Sequence, residues 1–455
     1  MTHHFDPVIL REYDIRGTVG TNLHPADAHA IGRAFATRVR AAGGRRVAVG
    51  YDGRTHSPML EAALVAGLAA SGVDVVRIGL GPTPMLYYAE ATLEVDGGIQ
   101  VTGSHNPRED NGFKLVLRRD SFFGEDLQDL ARIAAAGAFG EGEGTVEQAD
   151  VRDLYVGRLM AGYAGGTFRI GWDAGNGAAG PVIERLVRHL PGEHHLLFCD
   201  VDGEFPHHHP DPTVEDNLRD LQALVADRKL DFGLAFDGDG DRIGLVDGSG
   251  RMLWGDDILA ILARPTLAEL PGATIVADVK CSDALFEGIA AAGGRPVMWQ
   301  TGHSRMKAKL KELGAPLAGE LSGHMFFAHD YYGFDDALYA AVRLIRAIHL
   351  SGRSLAELRD AMPPRCATPD LRVPVAEARK AAVVEEVAAR LAGTDARVDT
   401  TDGLRVSDDD GWWLLRASNT QAALTLRAEA RDAAGLARLL AAVDAQLGES
   451  GVRRE

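Results

Sequence analysis

Three successive α/β units followed by one α+β domain is the fold class this sequence predicts, on three observations. One short pattern recurs three times, a differently built stretch follows it, and 455 residues are too many for one ordinary core. In the recurrent pattern an apolar strand ends in aspartate: Arg46-Val-Ala-Val-Gly-Tyr-Asp52, Phe168-Arg-Ile-Gly-Trp-Asp173 and Ala273-Thr-Ile-Val-Ala-Asp278. A polar turn and an Ala/Leu-rich helix come next, Ser57 to Ala70, Ala178 to His189 and Ser282 to Ala292. A second strand follows each helix (Val73 to Ile78, His195 to Cys199, Pro296 to Trp299), then a third (Gly98 to Val101, Phe232 to Phe236, Pro316 to Ala318). Strand–helix–strand spacing of this kind reads as α/β layers. Each third strand runs into a loop of charged and hydroxyl residues. Ligand sites in such sheets lie beyond strand ends, so three units can aim three loops at one cleft.

The last stretch breaks the pattern. After Pro363-Pro364 come Leu371-Arg-Val-Pro, a helix from about Val375 to Leu391, and Asp399-Thr-Thr-Asp-Gly-Leu-Arg-Val. Gly411-Trp-Trp-Leu-Leu-Arg416, Ala422-Ala-Leu-Thr-Leu-Arg-Ala428 and a final Ala/Leu helix complete it. This is an antiparallel α+β reading with hairpin-like turns. Four domains are therefore expected, near 1–150, 151–252, 253–365 and 366–455.

Composition narrows the function. Apolar residues make up 46% and charged residues 25%, the balance of a soluble globular protein. The start, Met1-Thr-His-His-Phe-Asp6, has no basic stretch followed by an apolar one, and no apolar run reaches membrane-spanning length. Three widely spaced cysteines, Cys199, Cys281 and Cys366, do not make a disulfide framework, and a reducing cytoplasm is the expected location. Acidic residues outnumber basic ones, 65 to 48, for a formal charge of −17. That argues against nucleic-acid and anionic-membrane partners, which need basic surface. A phosphate ester would need a local positive cleft, for which Arg16, Lys114, Arg242, Lys280 and Arg416 are the candidates.

Two loops carry the chemistry. Thr102-Gly-Ser-His-Asn-Pro107 offers the Ser104 hydroxyl on a turn, next to His105; Asp237-Gly-Asp-Gly-Asp-Arg242 offers three carboxylates at alternate positions, then an arginine. A serine is a poor nucleophile without activation, and three clustered carboxylates need a cation. Together they suggest a serine that carries phosphate with a divalent metal bridging it, the parts list of phosphoryl transfer. Alternation in an extended segment would turn Asp237, Asp239 and Asp241 to one side, with Gly238 and Gly240 letting the backbone curl. An EF-hand would need Gly where Arg242 stands and Glu where Gly248 stands. A phosphate-accepting aspartate, as in haloacid-dehalogenase-type phosphatases, is disfavoured by Asp241 and by the mid-chain position. Magnesium suits a few carboxylates plus a phosphate oxygen and water. Arg242 suits a bidentate phosphoryl clamp or a salt bridge that holds the aspartates.

These loops resemble those of the alpha-D-phosphohexomutases, most closely the bacterial phosphomannomutase/phosphoglucomutase group. Further motifs in the same order extend the resemblance from end to end: Arg11-Glu-Tyr-Asp-Ile-Arg-Gly17, Asn111-Gly-Phe-Lys114, Phe205-Pro-His-His-His-Pro-Asp-Pro212, Thr301-Gly-His-Ser304, Gly319-Glu-Leu-Ser-Gly-His324 and Arg416-Ala-Ser-Asn-Thr420. The resemblance implies mixed sheets around one central cleft and a C-terminal domain like TATA-box-binding protein. It also implies that Ser104 is phosphorylated in the resting enzyme. Glu320, Ser322 and His324 would then read sugar hydroxyls, and Arg416, Ser418, Asn419 and Thr420 would hold the phosphate that is not reacting. Tyr13, Arg16 and Lys280 would border the cleft. Lys114 and His303 are candidates for proton transfer or substrate contact, and His105 for a hydrogen bond to the phosphoryl group or for shaping its loop. His207, His208 and His209 read as a structural loop, since three adjacent histidines rarely face one ion.

The implied reaction moves phosphate between C1 and C6 of a hexose (mannose, glucose or both), with a hexose 1,6-bisphosphate as intermediate and activator and Mg²⁺ as cofactor. The implied partners are hexose phosphates alone. A monomer is expected, with a dimer as the alternative. A phosphoglucosamine mutase is the nearest other reading, which Leu321 in place of Gln disfavours; a metal-dependent sugar phosphatase and a non-catalytic sugar-phosphate sensor are more distant ones. The chain departs from the group at Leu321, where Met is usual, and at Ala417, Gln421 and Ala422, where Pro, Glu and Pro are usual. The first change conserves volume; the others remove prolines that would stiffen the phosphate loop.

Overall fold

A computed structural model describes residues 2–418 and 422–454. The threefold pattern becomes one topology used three times. In each unit the strand that ends in aspartate lies between the second and third strands and is parallel to both, and a fourth strand returns antiparallel beside the third. The central strands are Arg46–Tyr51, Phe168–Asp173 and Thr274–Asp278. The third and fourth strands are Gly97–Val101 with Asp110–Leu117, Phe232–Phe236 with Ile243–Asp247, and Leu317–Gly319 with Met325–Phe327. The central and third strands are buried on both faces, as the near-continuous apolar runs of parallel strands require. Each motif loop is therefore the hairpin connection between a parallel strand and its antiparallel neighbour.

The strand-end aspartates do local work. Asp52 Oδ2 accepts the Gly103 N–H at 3.0 Å, and Asp278 Oδ1 accepts the Leu321 N–H at 3.2 Å, so each ties the neighbouring motif loop to the sheet. Asp173 accepts from Gly175 N–H at 2.8 Å and meets His208 Nε2 at 3.0 Å. His207 instead stacks on Phe198, with ring centroids 3.9 Å apart, and its Nδ1 lies 2.8 Å from Asn176. The adjacent histidines thus have separate partners.

Three expected elements shift. The strand expected at His195 to Cys199 is Gly192–Leu197, because Phe198 takes a left-handed φ of 53° that ends it. The helix expected from Ala178 to His189 is the shorter Gly180–Leu186. The helix expected from Val375 starts at Lys380, because the Val375 N–H still pairs with the Ala422 carbonyl and keeps the chain extended past Pro374.

The C-terminal sheet is antiparallel throughout. Alternation sends Leu404, Val406, Trp413, Leu415, Leu424, Leu426 and Ala428 into a core with the helices Lys380–Leu391 and Ala433–Glu449. It sends Arg405, Trp412, Leu414, Arg416, Arg427 and Glu429 to the other face. That face meets the third unit through a small apolar cluster of Val279, Trp412 and Leu414, and through bonds from Arg405 to the Val279 carbonyl (2.9 Å) and Asp283 (2.6 Å). By contrast, the largest core joins Met85–Tyr88 of the first unit to the second and third. No helix among the described residues is long and apolar enough to cross a membrane.

Candidate active site

The first two motif loops meet directly. The Ser104 hydroxyl donates to Asp237 Oδ2 at 2.8 Å and lies 3.2 Å from His105 Nδ1. Ser104 has φ +49°, a region that side chains adopt at a cost and that clusters at functional sites. Two devices hold it there. Thr102 Oγ1 accepts the Ser104 N–H at 2.8 Å. Arg54, 1% exposed, fans its guanidinium across the carbonyls of Ser104 (2.7 Å), Asn106 (2.6 Å), Pro107 (2.5 Å) and Asp110 (2.9 Å). Gly238 must be glycine, since a Cβ there would strike the Ser104 carbonyl oxygen. Burial and the Arg242 charge push His105 well below its usual pKa, so a neutral ring faces the serine.

The three aspartates converge, though not by strand alternation. The loop curls around Asp237: its Oδ1 accepts the N–H groups of Asp241 and Arg242, each at 3.1 Å, and Gly240 turns with φ +72°. Ligand oxygens of Asp237, Asp239 and Asp241 come within 4.8 Å of one another, and all three residues are fully buried. Asp239 Oδ1 is buried with no hydrogen-bond partner among the described residues, an acceptor left over in a cluster of anions. Burial, then Asp239 and Asp241, drive the Asp237 carboxyl well above the ordinary range. A donor set of hard oxygens with surplus negative charge fits a divalent cation such as Mg²⁺.

Basic groups ring this cluster. Lys114 Nζ bonds Asp239 at 2.8 Å and also Asp241. Burial alone would lower its pKa, but the two carboxylates raise it, the reverse of what a general base needs. Strand Ile15–Thr18 pairs with Asp110–Leu117 and sets Arg16 opposite Gly112. From there Arg16 bonds the Thr102 carbonyl and Asp14 (2.9 Å). Thr83, at the start of helix Thr83–Thr92, bonds Asp239 through its hydroxyl and, at 2.8 Å, donates its N–H to the Asp239 carbonyl.

The third loop joins through His324. Its Nε2 lies 3.1 Å from Asp241 and 3.3 Å from Arg242 Nε, and its Nδ1 lies 2.9 Å from Glu320 and 3.2 Å from the Ser322 hydroxyl. Burial alone would lower the His324 pKa, but Asp241 and Glu320 raise it to about 9. Glu320 accepts the Gly302 N–H with its other oxygen at 2.5 Å, which fixes the turn before His303. Ser322 is partly exposed beside these buried groups.

Further basic groups, each with a carboxylate partner, lie where the first, third and C-terminal domains meet. Arg416 pairs with Asp402 at 3.0 Å, and its Nη2 is buried without a hydrogen-bond partner among the described residues. Lys280 lies 3.4 Å from Asp370. The Tyr13 hydroxyl donates to the Thr301 carbonyl at 2.7 Å, and its ring sits 6.1 Å from that of His303. Burial pushes the Tyr13 phenol up to about 12. Ser418 is buried, with its carbonyl taken by Lys380. Asn419 and Thr420, expected to act with Arg416 and Ser418, lie outside the described residues. Sequence reasoning passed over Arg54. The signal available for Arg54 was its place in Asp52-Gly-Arg54, immediately after a strand end.

Four sequence profiles cover nearly the whole chain. Phosphoglucomutase/phosphomannomutase alpha/beta/alpha domains I, II and III match residues 7–140, 157–250 and 254–366, and the C-terminal domain matches 371–446. A phosphomannomutase/phosphoglucomutase of Pseudomonas aeruginosa is 42% identical over 423 residues, 93% of this chain and 91% of that protein. A phosphoglucomutase of Neisseria gonorrhoeae is 40% identical, with 95% of each chain covered. The crystal structure of a phosphoglucomutase/phosphomannomutase family protein from Burkholderia thailandensis superposes with a TM-score of 0.91 at 42% identity over 98% of both chains. The chain belongs to the phosphoglucomutase/phosphomannomutase family of phosphoryl-transferring mutases.

Proposed function

We propose that this chain interconverts hexose 1-phosphates and hexose 6-phosphates, with Ser104 as the group that carries phosphate. The observation that supports this most is the 2.8 Å contact between the Ser104 hydroxyl and Asp237, which joins a nucleophile to a cluster of three buried carboxylates. Asp237, Asp239 and Asp241, with an oxygen on Ser104, would hold a magnesium ion. When bound, that ion supplies charge neutralisation for a phosphoryl group.

The protein's own groups account for the rest. Phospho-Ser104 gives its phosphoryl group to the free hydroxyl of a bound monophosphate, and the resulting 1,6-bisphosphate turns end for end before returning its other phosphate to Ser104. Arg16 and Arg242 border the serine and suit equatorial phosphoryl oxygens. Arg416 and Lys280 suit the distal phosphate, since one bisphosphate has two anionic ends and the serine loop holds one. Glu320 and Ser322 suit O3 and O4, which turning leaves in the same neighbourhood. O2 then lacks a fixed partner, so glucose and mannose phosphates both fit.

The test is turnover on glucose 1-phosphate, mannose 1-phosphate and glucosamine 1-phosphate, with inorganic phosphate measured in parallel. Glucose and mannose esters should give kcat/KM values within roughly tenfold and release no stoichiometric phosphate. Phosphate release matching substrate loss would make the chain a phosphatase. Preference for the glucosamine ester would give the site an amino sugar instead.

A further inference from the structure

His303 opens the helix His303–Leu313, and Lys307 stands one turn later on the same face. The Lys307 ammonium lies 3.2 Å from His303 Nδ1, 2.8 Å from Asp335 Oδ1 and 3.3 Å from the Tyr87 hydroxyl. It also sits 4.4 Å from the centroid of the Tyr87 ring. Tyr87 comes from helix Thr83–Thr92 of the first unit, and Asp335 from the turn before helix Ala337–Ser351 of the third. His303, Tyr87 and Asp335 are all buried. Lys307 is thus held from two domains, and its charge is spent inside the protein.

An ammonium has three donors and no acceptor. It can bond an imidazole nitrogen only through that nitrogen's lone pair. Nδ1 of His303 is therefore unprotonated, and the neutral ring carries its hydrogen on Nε2. The alternatives are disfavoured separately. A doubly protonated ring would set two cations together, and burial, Lys307 and Lys114 already hold this histidine well below its usual range. An Nδ1–H ring would need an acceptor, yet the nearest carboxylate oxygen, Asp335 Oδ2, is 3.7 Å from Nδ1, beyond hydrogen-bond length. Hydrogen bonds among the described residues engage Nδ1 and not Nε2, in a ring that lies between Tyr13 and His324.

We propose that Lys307 is a positioning residue that fixes His303 as its Nε2–H tautomer, so that His303 donates a hydrogen bond to a sugar-phosphate oxygen and does not act as the base. This rests on reading the cleft as the sugar-phosphate site. A ring with its only lone pair turned toward an ammonium has none to offer substrate. The proposal thus gives His303 one of the two roles its motif left open.

The test is nitrogen-15 NMR of the histidine-labelled full chain, assigned with His303→Gln, alongside kinetics on glucose 1-phosphate. Wild type should show a pyridine-type Nδ1 and a pyrrole-type Nε2 at His303. Lys307→Met removes the donor and keeps the bulk. It should release the tautomer preference and lower kcat/KM by roughly tenfold, the usual effect of losing one hydrogen bond to a charged group. Lys307→Arg should restore both, and Tyr87→Phe, which leaves the Lys307–His303 bond intact, should change neither. An Nδ1–H ring in wild type, or an unchanged tautomer in Lys307→Met, overturns the proposal. So does a switched tautomer with unchanged kcat/KM. A wild type that shows the Nε2–H ring but turns over no sugar phosphate would sink the reading of the cleft and leave the role of Lys307 in setting the tautomer standing.

Discussion

At the scale of the residue, the chemistry depends on side chains placed where their ordinary preferences oppose them. Ser104 sits at φ +49° and is held there by Thr102 and by the four carbonyl contacts of Arg54. Intact mass should show a phosphorylated fraction that maps to Ser104. Ser104→Ala should lose most activity while circular dichroism shows the fold retained; near-normal turnover would end the phosphoserine reading. Asp239 has one buried oxygen with no hydrogen-bond partner among the described residues, left over for a cation, while its other oxygen holds Lys114 and Thr83. Asp239→Asn should need much more magnesium for half-maximal rate, as a magnesium titration of activity would read. Ser104 and the aspartates were legible in the sequence because their spacing is local. Arg54 was not, because its partners are backbone carbonyls about fifty residues further on, and a backbone carbonyl leaves no trace in residue type.

At the scale of the element, the strands were legible as apolar runs, and their ends were less so. A left-handed Phe198 stops one strand, and a lingering backbone pair at Val375 delays one helix; neither is coded by hydrophobic period. The aspartate loop shows the same limit. Its convergence comes from N–H groups folding onto Asp237, where the sequence suggested an extended segment. The capping of helix Ala337–Ser351 leads to a prediction. Asp336 caps it through the Tyr339 N–H at 2.8 Å and accepts the Tyr331 and Tyr155 hydroxyls at 2.6 and 2.9 Å. Complete burial nevertheless raises its carboxyl from 3.8 to about 7. A raised carboxyl favours the folded state when protonated. Its contribution is full below about pH 4 and is lost as pH rises through about 7. Asp336→Asn keeps a good cap without the charge. The Tm difference between wild type and this variant should therefore move in the variant's favour from pH 5 to pH 8. A difference independent of pH would show that Asp336 does not titrate in this range.

At the scale of the molecule, three units share a continuous core, whereas the C-terminal domain touches the third unit through few apolar groups and several charged ones. Polar interfaces of this kind permit relative motion, and a bisphosphate that must turn needs a wall that can yield. Arg416 projects from that wall. Losing a charge-assisted bidentate contact typically costs about 1.5–3 kcal/mol. Arg416→Ala should therefore lower kcat/KM by roughly ten- to a hundredfold and release more bisphosphate, while serine phosphorylation and magnesium dependence persist. Unchanged kinetics, or a lost metal response, would remove Arg416 from the distal phosphate pocket. The order of domains was legible because the repeat is in the sequence; the tightness of each interface was not, because it depends on which face of a strand turns outward.

The equivalence of the three hairpin connections bears on descent. A unit copied twice would have carried the same bare hairpin three times, all pointing into a shared space. Each copy would then have been free to drift, one toward Ser104, one toward the three aspartates and one toward Glu320, Ser322 and His324. On the proposed reading, sugar preference could shift by exchange of Leu321 or Ser322 while His324, which bonds Asp241 from the same loop, stays with the machinery for moving phosphate. One ancestral scaffold can in this way found a lineage of mutases that differ in the sugar they handle and agree in how they handle it.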